Sequence, residues 1–326
     1  MNHDDPRSAS RDRLLIAVGG NAIHPEGIRG TSEEQMHIAA ETAEHLLPLL
    51  VQDNELVITH GNGPGVGKTM MRQVLARHRV APMSLDICVA NTQGVTAYIL
   101  TQAFENALRR VGNPRHAVGL VTQVEVDSAD PAFTSPSKPV GYFYTESEAS
   151  DLVAEFGWEM KEDAGRGWRQ VVASPEPRHV CDISLIDALA RRGTIVIAGG
   201  GGGVPVVRDN LGVRRGIEGV IDKDLTSAHM AWVLGIPQLV ILTGVSGVSI
   251  NFGRDNEEKI GRIGVTALRA LQDGGHFPAG SMGPKVEAAL RFVENGGLRA
   301  IITGLEEAVP ALAGETGTHV VPDEAL

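Results

Sequence analysis

Three lysines stand where an anion would find them. Gly280-Ser281-Met282-Gly283-Pro284-Lys285-Val286-Glu287 reads as a helix start at Pro284, carried on by the apolar positions Val286, Ala289, Leu290 and Val293. A lysine in the first turn opposes the helix dipole, so stability alone disfavours it. An anionic ligand reverses that sign, because free N–H groups and the ammonium converge on it. The plain alternative is a solvated surface lysine. Asp222-Lys223-Asp224, between Val220-Ile221 and a predicted helix, reads as a helix cap beside a surface lysine or as a phosphate-binding lysine oriented by an acid. Lys138 lies in Ser135-Pro136-Ser137-Lys138-Pro139, where prolines restrict the backbone on both sides. That is how a reaching lysine would be held.

Three apolar runs end in glycine and supply a matching set of backbone donors. They are Leu14 to Val18 before Gly19-Gly20-Asn21-Ala22, Leu56 to His60 before Gly61-Asn62-Gly63-Pro64, and Thr194 to Ala198 before Gly199 to Gly203. Short apolar runs with this punctuation predict buried strands. Glycine lets a ligand approach the peptide N–H groups closely, and ligands favour the C-terminal edge of a parallel sheet. Tight turns without a ligand are the alternative.

Two familiar motifs fail. Gly67-Lys68-Thr69 ends like a phosphate-binding P-loop, but Asn62 occupies the position of its first glycine. Lys68-Thr69 is therefore expected in the exposed first turn of a helix. Val204-Pro205 fall where the last glycine of a dinucleotide fingerprint belongs, which leaves a dehydrogenase as a weak alternative.

The elements that must position these residues alternate along the chain. Thr31 and Glu34 form a capping box before a helix over Met36 to Leu50. Helices are predicted from about Val66 to His78, from near Asn91 to Val111, over Glu146 to Glu155, over Asp182 to Arg192 and from Asp224. Further strands are expected at Ala117 to Val124, Gln238 to Thr243 and Arg299 to Thr303. Strands alternating with helices at both ends predict a doubly wound, mainly parallel α/β sheet. The Pro-, Gly- and charge-rich segment of about 125–179 is too long for a bare loop and is expected to be an inserted subdomain or lid.

Composition narrows the class. The chain has 326 residues, 42% hydrophobic and only 4% aromatic, with 39 glycines, as befits a loop-rich α/β enzyme. A net charge of −11 argues against nucleic acid and anionic membranes as partners. Cys88 and Cys181 lack any metal or disulfide spacing and read as buried inert thiols. Residues 1–13 read as a disordered tail without a signal-peptide core, and no run is long enough to span a membrane. A cytoplasmic protein is expected.

Taken together, these motifs resemble the carbamate kinases of the amino acid kinase superfamily. The resemblance is carried by Ala17 to Ala22, Thr59 to Pro64, Pro82 to Asp86, Ser137 to Gly141, Lys161 to Gly167, Gly200 to Val206, Val220 to Leu225, Ile250 to Gly253 and Gly280 to Ala289. It implies an α/β/α sandwich: a phosphoryl-acceptor lobe at 14–221 carrying a protruding subdomain, and a nucleotide lobe at 222–326. It further implies a homodimer that transfers phosphoryl between ATP and carbamate, giving ADP and carbamoyl phosphate, used to make ATP in arginine breakdown.

The resemblance also assigns roles. Most superfamily members carry a lysine where this chain has Ala17, and Lys138 of the insertion takes its place. Lys138, Lys223 and Lys285 would stabilise charge on the transferred group, with Asp222 orienting Lys223. Gly19, Gly20, Asn21, Gly61, Asn62 and Gly63 would hold the acceptor and the γ-phosphoryl oxygens through N–H groups and amides. Gly201, Gly202, Lys223, Thr243, Met282 and Lys285 would hold the nucleotide, whose phosphates Mg²⁺ bridges; no residue is expected to ligate a metal. His24 and His60 receive no role. Relative to the family pattern, Gly65 stands for a glutamine, Asn91-Thr92 for Met-Ser, Tyr142 for a proline and Ser249 for a tyrosine. The first three neighbour the acceptor loops, so a paralogous kinase for another small carboxylate or carbamate-like acid is the alternative. A non-catalytic nucleotide or anion sensor is a third reading.

Overall fold

The structure, a computed structural model, describes residues 11–20, 23, 25, 28–163, 165–277 and 282–326. Residues 1–10 of the expected tail lie outside these, as do Asn21, His24, Gly280 and Ser281. The chain opens with β1 (Arg13–Val18), α1 (Ser32–Leu50), β2 (Glu55–His60), α2 (Gly63–Ala76), α3 (Leu85–Arg110) and β3 (Ala117–Gly119). The insertion brings β4 (Gln123–Glu125), β5 (Lys138–Tyr144), α4 (Glu146–Phe156), β6 (Met160–Glu162), β7 (Trp168–Val172) and β8 (His179–Val180). After it come α5 (Ile183–Arg191), β9 (Ile195–Ile197), β10 (Val204–Arg208), β11 (Arg214–Gly216), α6 (Lys223–Val233) and β12 (Gln238–Thr243). The chain closes with β13 (Val248–Ile250), β14 (Glu258–Ile260), β15 (Arg262–Gly264), α7 (Val265–Asp273), α8 (Met282–Glu294), β16 (Arg299–Gly304), α9 (Ala308–Leu312) and β17 (Thr318–Val321).

Eight strands form one sheet in the order β15-β17-β16-β12-β1-β2-β9-β3, parallel except where β16 meets β17. β1 is hydrogen-bonded on both edges, to β2 and β12, and helices cover both faces. That explains its unbroken apolar run. Leu15 and Ala17 face one core with Met230 of α6 and Leu290 of α8, while Leu14, Ile16 and Val18 face the other with Leu46 of α1 and Phe104 of α3. Alternation across the pleat thus builds an α/β/α sandwich. Among the described residues no helix is long and apolar enough to cross a membrane.

Several boundaries differ from expectation for local reasons. The Thr31–Glu34 capping box forms, and α1 begins at Ser32, directly after the Thr31 cap. α3 begins at Leu85 rather than near Asn91, because Leu85, Cys88, Val89 and Thr92 already share a buried face. The run at 117–124 is two strands, β3 and β4, in different sheets. The chain changes sheet where the Thr122 N–H donates to Gln93 Oε1 at 2.8 Å. A second sheet, β11-β10-β4-β8, was not legible in so short and charged a stretch. Cys88 is buried, with its thiol pushed up to about 11 by burial, whereas Cys181 is only half-buried.

The insertion is ordered as an antiparallel sheet, β5-β7-β6, with α4 packed on it. It rests on α2 through one close crossing. A Cβ at Gly67 would lie 2.5 Å from the Gly141 Cα, and Gly141 has φ +76° beside a register shift in β5. This contact accounts for Gly67 in the failed P-loop. Lys68 is half-buried and donates to the Arg29 carbonyl at 2.7 Å, and Thr69 is buried, so neither is in an exposed first turn.

Candidate functional site

β1, β2, β9, β12 and β16 all end at one edge of the sheet. Strand order reverses at β1, whose neighbours β2 and β12 come from opposite halves of the chain. A crevice belongs at such a switch point. Lys223 opens α6 beside it, and its Nζ donates to the carbonyl of Ala17 in β1 at 3.4 Å. Asp222 caps α6: Oδ1 accepts the N–H groups of Asp224 at 2.9 Å and Leu225 at 3.3 Å. Its other oxygen lies 3.3 Å from Lys138 Nζ, which also donates to the Ile221 carbonyl at 3.1 Å.

Asp224 completes the arrangement. Lys223 Nζ lies 2.5 Å from its Oδ1, a charge contact without hydrogen-bond alignment, and Lys285 Nζ lies 3.3 Å from Oδ2. The sequence reading has Asp222 orient Lys223; the structure gives that place to Asp224 and pairs Asp222 with Lys138. Burial pushes the Asp224 carboxyl up, but Lys223 and Lys285 outweigh burial and hold it below the usual carboxylate range. Three ammonium groups against two carboxylates leave one formal positive charge, suited to an anion. An acid one position after a lysine at a helix start is ordinary helix chemistry, which is why Asp224 carried no distinct signal in the sequence.

The glycine loops pack closely against one another and against β12. A Cβ at Gly19 would lie 2.8 Å from the Leu242 carbonyl oxygen, and one at Gly61 2.8 Å from the Gly20 nitrogen. Gly61 donates its own N–H to the Val18 carbonyl at 3.0 Å, so it spaces the loops and does not offer that N–H to a ligand. Gly63 opens α2, leaving first-turn donors for an anion. Asn62 is buried, and its Nδ2 donates to Thr92 Oγ1 at 2.9 Å. Gly201 and Gly202 do not line the nucleotide-sized cleft. They are buried with φ +62° and +91°, because a Cβ would strike the Asn62 amide and the Ile221 carbonyl.

That cleft, about 870 Å³, runs from Gly19 and Gly20 past Thr243, Met282 and Lys285 to Ser249, Phe252 and Glu307. Thr243, Met282 and Lys285 are therefore brought together as expected, while Lys223 stands behind Lys285 through Asp224. α8 begins at Met282, two residues before the expected start, which keeps Lys285 in the first turn. Phe252 was missed; it sits on the β13–β14 turn after Asn251, the one described non-glycine residue with positive φ. Asn251, Gly253, Asp255 and Asn256 are turn formers, but nothing in residue type marks Phe252 as a cleft residue.

Similarity to known proteins agrees with this geometry. The sequence model of the amino acid kinase family matches residues 12–304. A carbamate kinase of Pyrococcus horikoshii is 45% identical over 313 residues, covering 95% of this chain and 99% of its own length. One of Thermococcus kodakarensis is 47% identical over 312 residues with the same coverage. A solved carbamate kinase from Giardia lamblia, bound to AMP-PNP, superposes with a TM-score of 0.90 at 40% identity, covering 96% of this chain and 99% of that one.

His60 closes the site from behind. It is buried, and its Nδ1 lies 3.1 Å from the Gly61 carbonyl, so Nδ1 carries the proton. Burial, with Lys223 nearby, pushes it down to about 4 from an ordinary 6.5, against a smaller upward effect of the Gly61 carbonyl. The unfolded chain then binds a proton that the folded chain refuses. Stability is complete above 6.5 and falls as pH drops from 6.5 towards 4. Between pH 7 and pH 5 the loss from this group is about 2 kcal/mol. Urea unfolding at both pH values should show His60→Gln losing that much less than the native chain; equal losses would contradict the assignment.

Proposed function

This chain belongs to the amino acid kinase family and, within it, to the carbamate kinases, and we propose that it transfers phosphoryl reversibly between ATP and carbamate. The observation that carries this reading is the meeting of Lys138, Lys223 and Lys285 on Asp222 and Asp224, beside a nucleotide-sized cleft that ends at Gly19 and Gly20, against which Gly61 packs. In the forward direction a carbamate oxygen bonds to the γ-phosphorus as the bond to the ADP oxygen breaks. No proton needs to move, since the carbamate oxygen is already ionised. The catalytic task is then alignment and charge neutralisation. Lys285 faces the nucleotide from the cleft, Lys223 secures it through Asp224, and Lys138 reaches in from the subdomain. The N–H groups of Gly19, Gly20 and Gly63 and the amides of Asn21 and Asn62 hold the acceptor side.

The family's chemistry depends on a nucleotide. Among the described residues no three His, Cys, Asp or Glu side chains group to hold a metal. Bound together with the nucleotide, Mg²⁺ would neutralise charge on its phosphates. The N-terminal half of the sheet supplies the acceptor loops and the C-terminal half the nucleotide cleft. The same reading places the enzyme in the cytoplasm, making ATP during arginine breakdown.

We also propose a homodimer. Val95 and Tyr98 of α3 are 46% and 59% exposed, Tyr98 lines a groove with the exposed Val121, and among the described residues β3 is an edge strand. A second copy of this surface would cover the apolar stripe and the open strand edge together.

Two outcomes test these statements. Purified protein given ADP, Mg²⁺ and carbamoyl phosphate should form ATP, and Lys138→Ala should lower kcat about 10²–10³-fold while ADP still binds. Near-full activity in that variant would remove Lys138 from the mechanism. Light scattering should give about twice 34.6 kDa for the native chain and the monomer mass for Tyr98→Glu. A native monomer would rule the dimer out.

A further inference from the structure

Helix α2 begins at Gly63 and carries glycine again at 65 and 67, where each costs about 1 kcal/mol against alanine inside a helix. Gly67 has a reason in the fold, the crossing of Gly141. The other two have none. Neither has a left-handed φ, a Cβ at Gly63 would meet nothing within 4 Å, and one at Gly65 would meet the Thr92 methyl at 3.5 Å, an ordinary contact. The bare turn lies at the acceptor side, between Asn62 and the strand that carries Lys138. Thr92 has its hydroxyl turned away from Gly65, accepting from Asn62 Nδ2 at 2.9 Å and donating to the Val89 carbonyl at 2.7 Å. What it turns towards Gly65 is therefore its methyl group. An amino substituent gains nothing from such a wall, whereas a short alkyl group fits it.

Resting on the acceptor site assigned above, we propose that Gly65 and the Thr92 methyl form an apolar notch through which the enzyme also uses small aliphatic acids such as propionate, with Gly65 setting that breadth. With propionyl phosphate, an oxygen of the ADP β-phosphate bonds to phosphorus as the bond from phosphorus to the acyl oxygen breaks. The electron pair stays on the departing carboxylate, and no proton or redox partner is required.

The test measures ATP formation from ADP and Mg²⁺ with propionyl phosphate and with carbamoyl phosphate, for the native chain, Gly65→Ala and Gly65→Leu. The native chain should use both. Gly65→Leu should lower the ratio of kcat/KM for propionyl over carbamoyl phosphate at least about tenfold, mainly through KM, the scale of a methylene-sized misfit. Gly65→Ala should melt no lower than the native chain. An unchanged ratio, or carbamoyl phosphate used and propionyl phosphate refused by the native chain, would overturn the notch. Propionyl phosphate used alone, and lost in Gly65→Leu, would support the notch while removing carbamate as the acceptor.

Discussion

A carboxylate buried between two ammonium groups is the interaction on which this site depends. Taking Asp224 out of water is costly, and only close opposite charge offsets that cost. Lys223 and Lys285 supply it from the starts of two different helices, so the pairing ties α6 to α8 beside the cleft. Loss of Asp224 would leave both ammonium groups without their shared counter-charge, a change on the order of 3–5 kcal/mol for a buried pair. The same tie keeps the lysines in place before any ligand arrives, so little reorganisation is needed during the reaction.

The third lysine arrives from another layer, and backbone geometry brings it there. Gly67 and Gly141 let β5 lie directly against α2, and the strand that makes this crossing begins at Lys138. Asp222 then serves two partners at once, its Oδ1 capping α6 and its Oδ2 pairing with Lys138. A helix cap and the contact to the subdomain's lysine share one carboxylate. Local stability and function are thereby coupled at a single residue.

Much of this was legible from residue types. Apolar runs closed by glycine located the central strands, and the lysines at helix starts stood out because their placement opposes the dipole. Less visible was everything decided by packing across the fold. Asp222 and Asp224 are equivalent in sequence, and only tertiary placement gives each its lysine. Gly61, Gly201 and Gly202 looked like ligand-binding glycines, yet two have no room for a Cβ beside Asn62 and Ile221, and Gly61 spends its N–H on Val18. The start of α3 was hidden because Asp86 and Ile87 interrupt an apolar face that becomes evident only when Leu85 and Cys88 are seen buried.

Because burial and charge pull the Asp224 carboxyl in opposite directions, its titration decides which one governs the site. Carboxyl-carbon NMR of protein labelled at aspartate, assigned through Asp224→Asn and followed from about pH 8 to about pH 4.5, reads it directly. If the two lysines govern, Asp224 stays ionised across the range and moves upward in Lys285→Ala. A midpoint above the ordinary carboxylate value in the native chain would mean that burial dominates, and would contradict the charge arrangement on which the account rests.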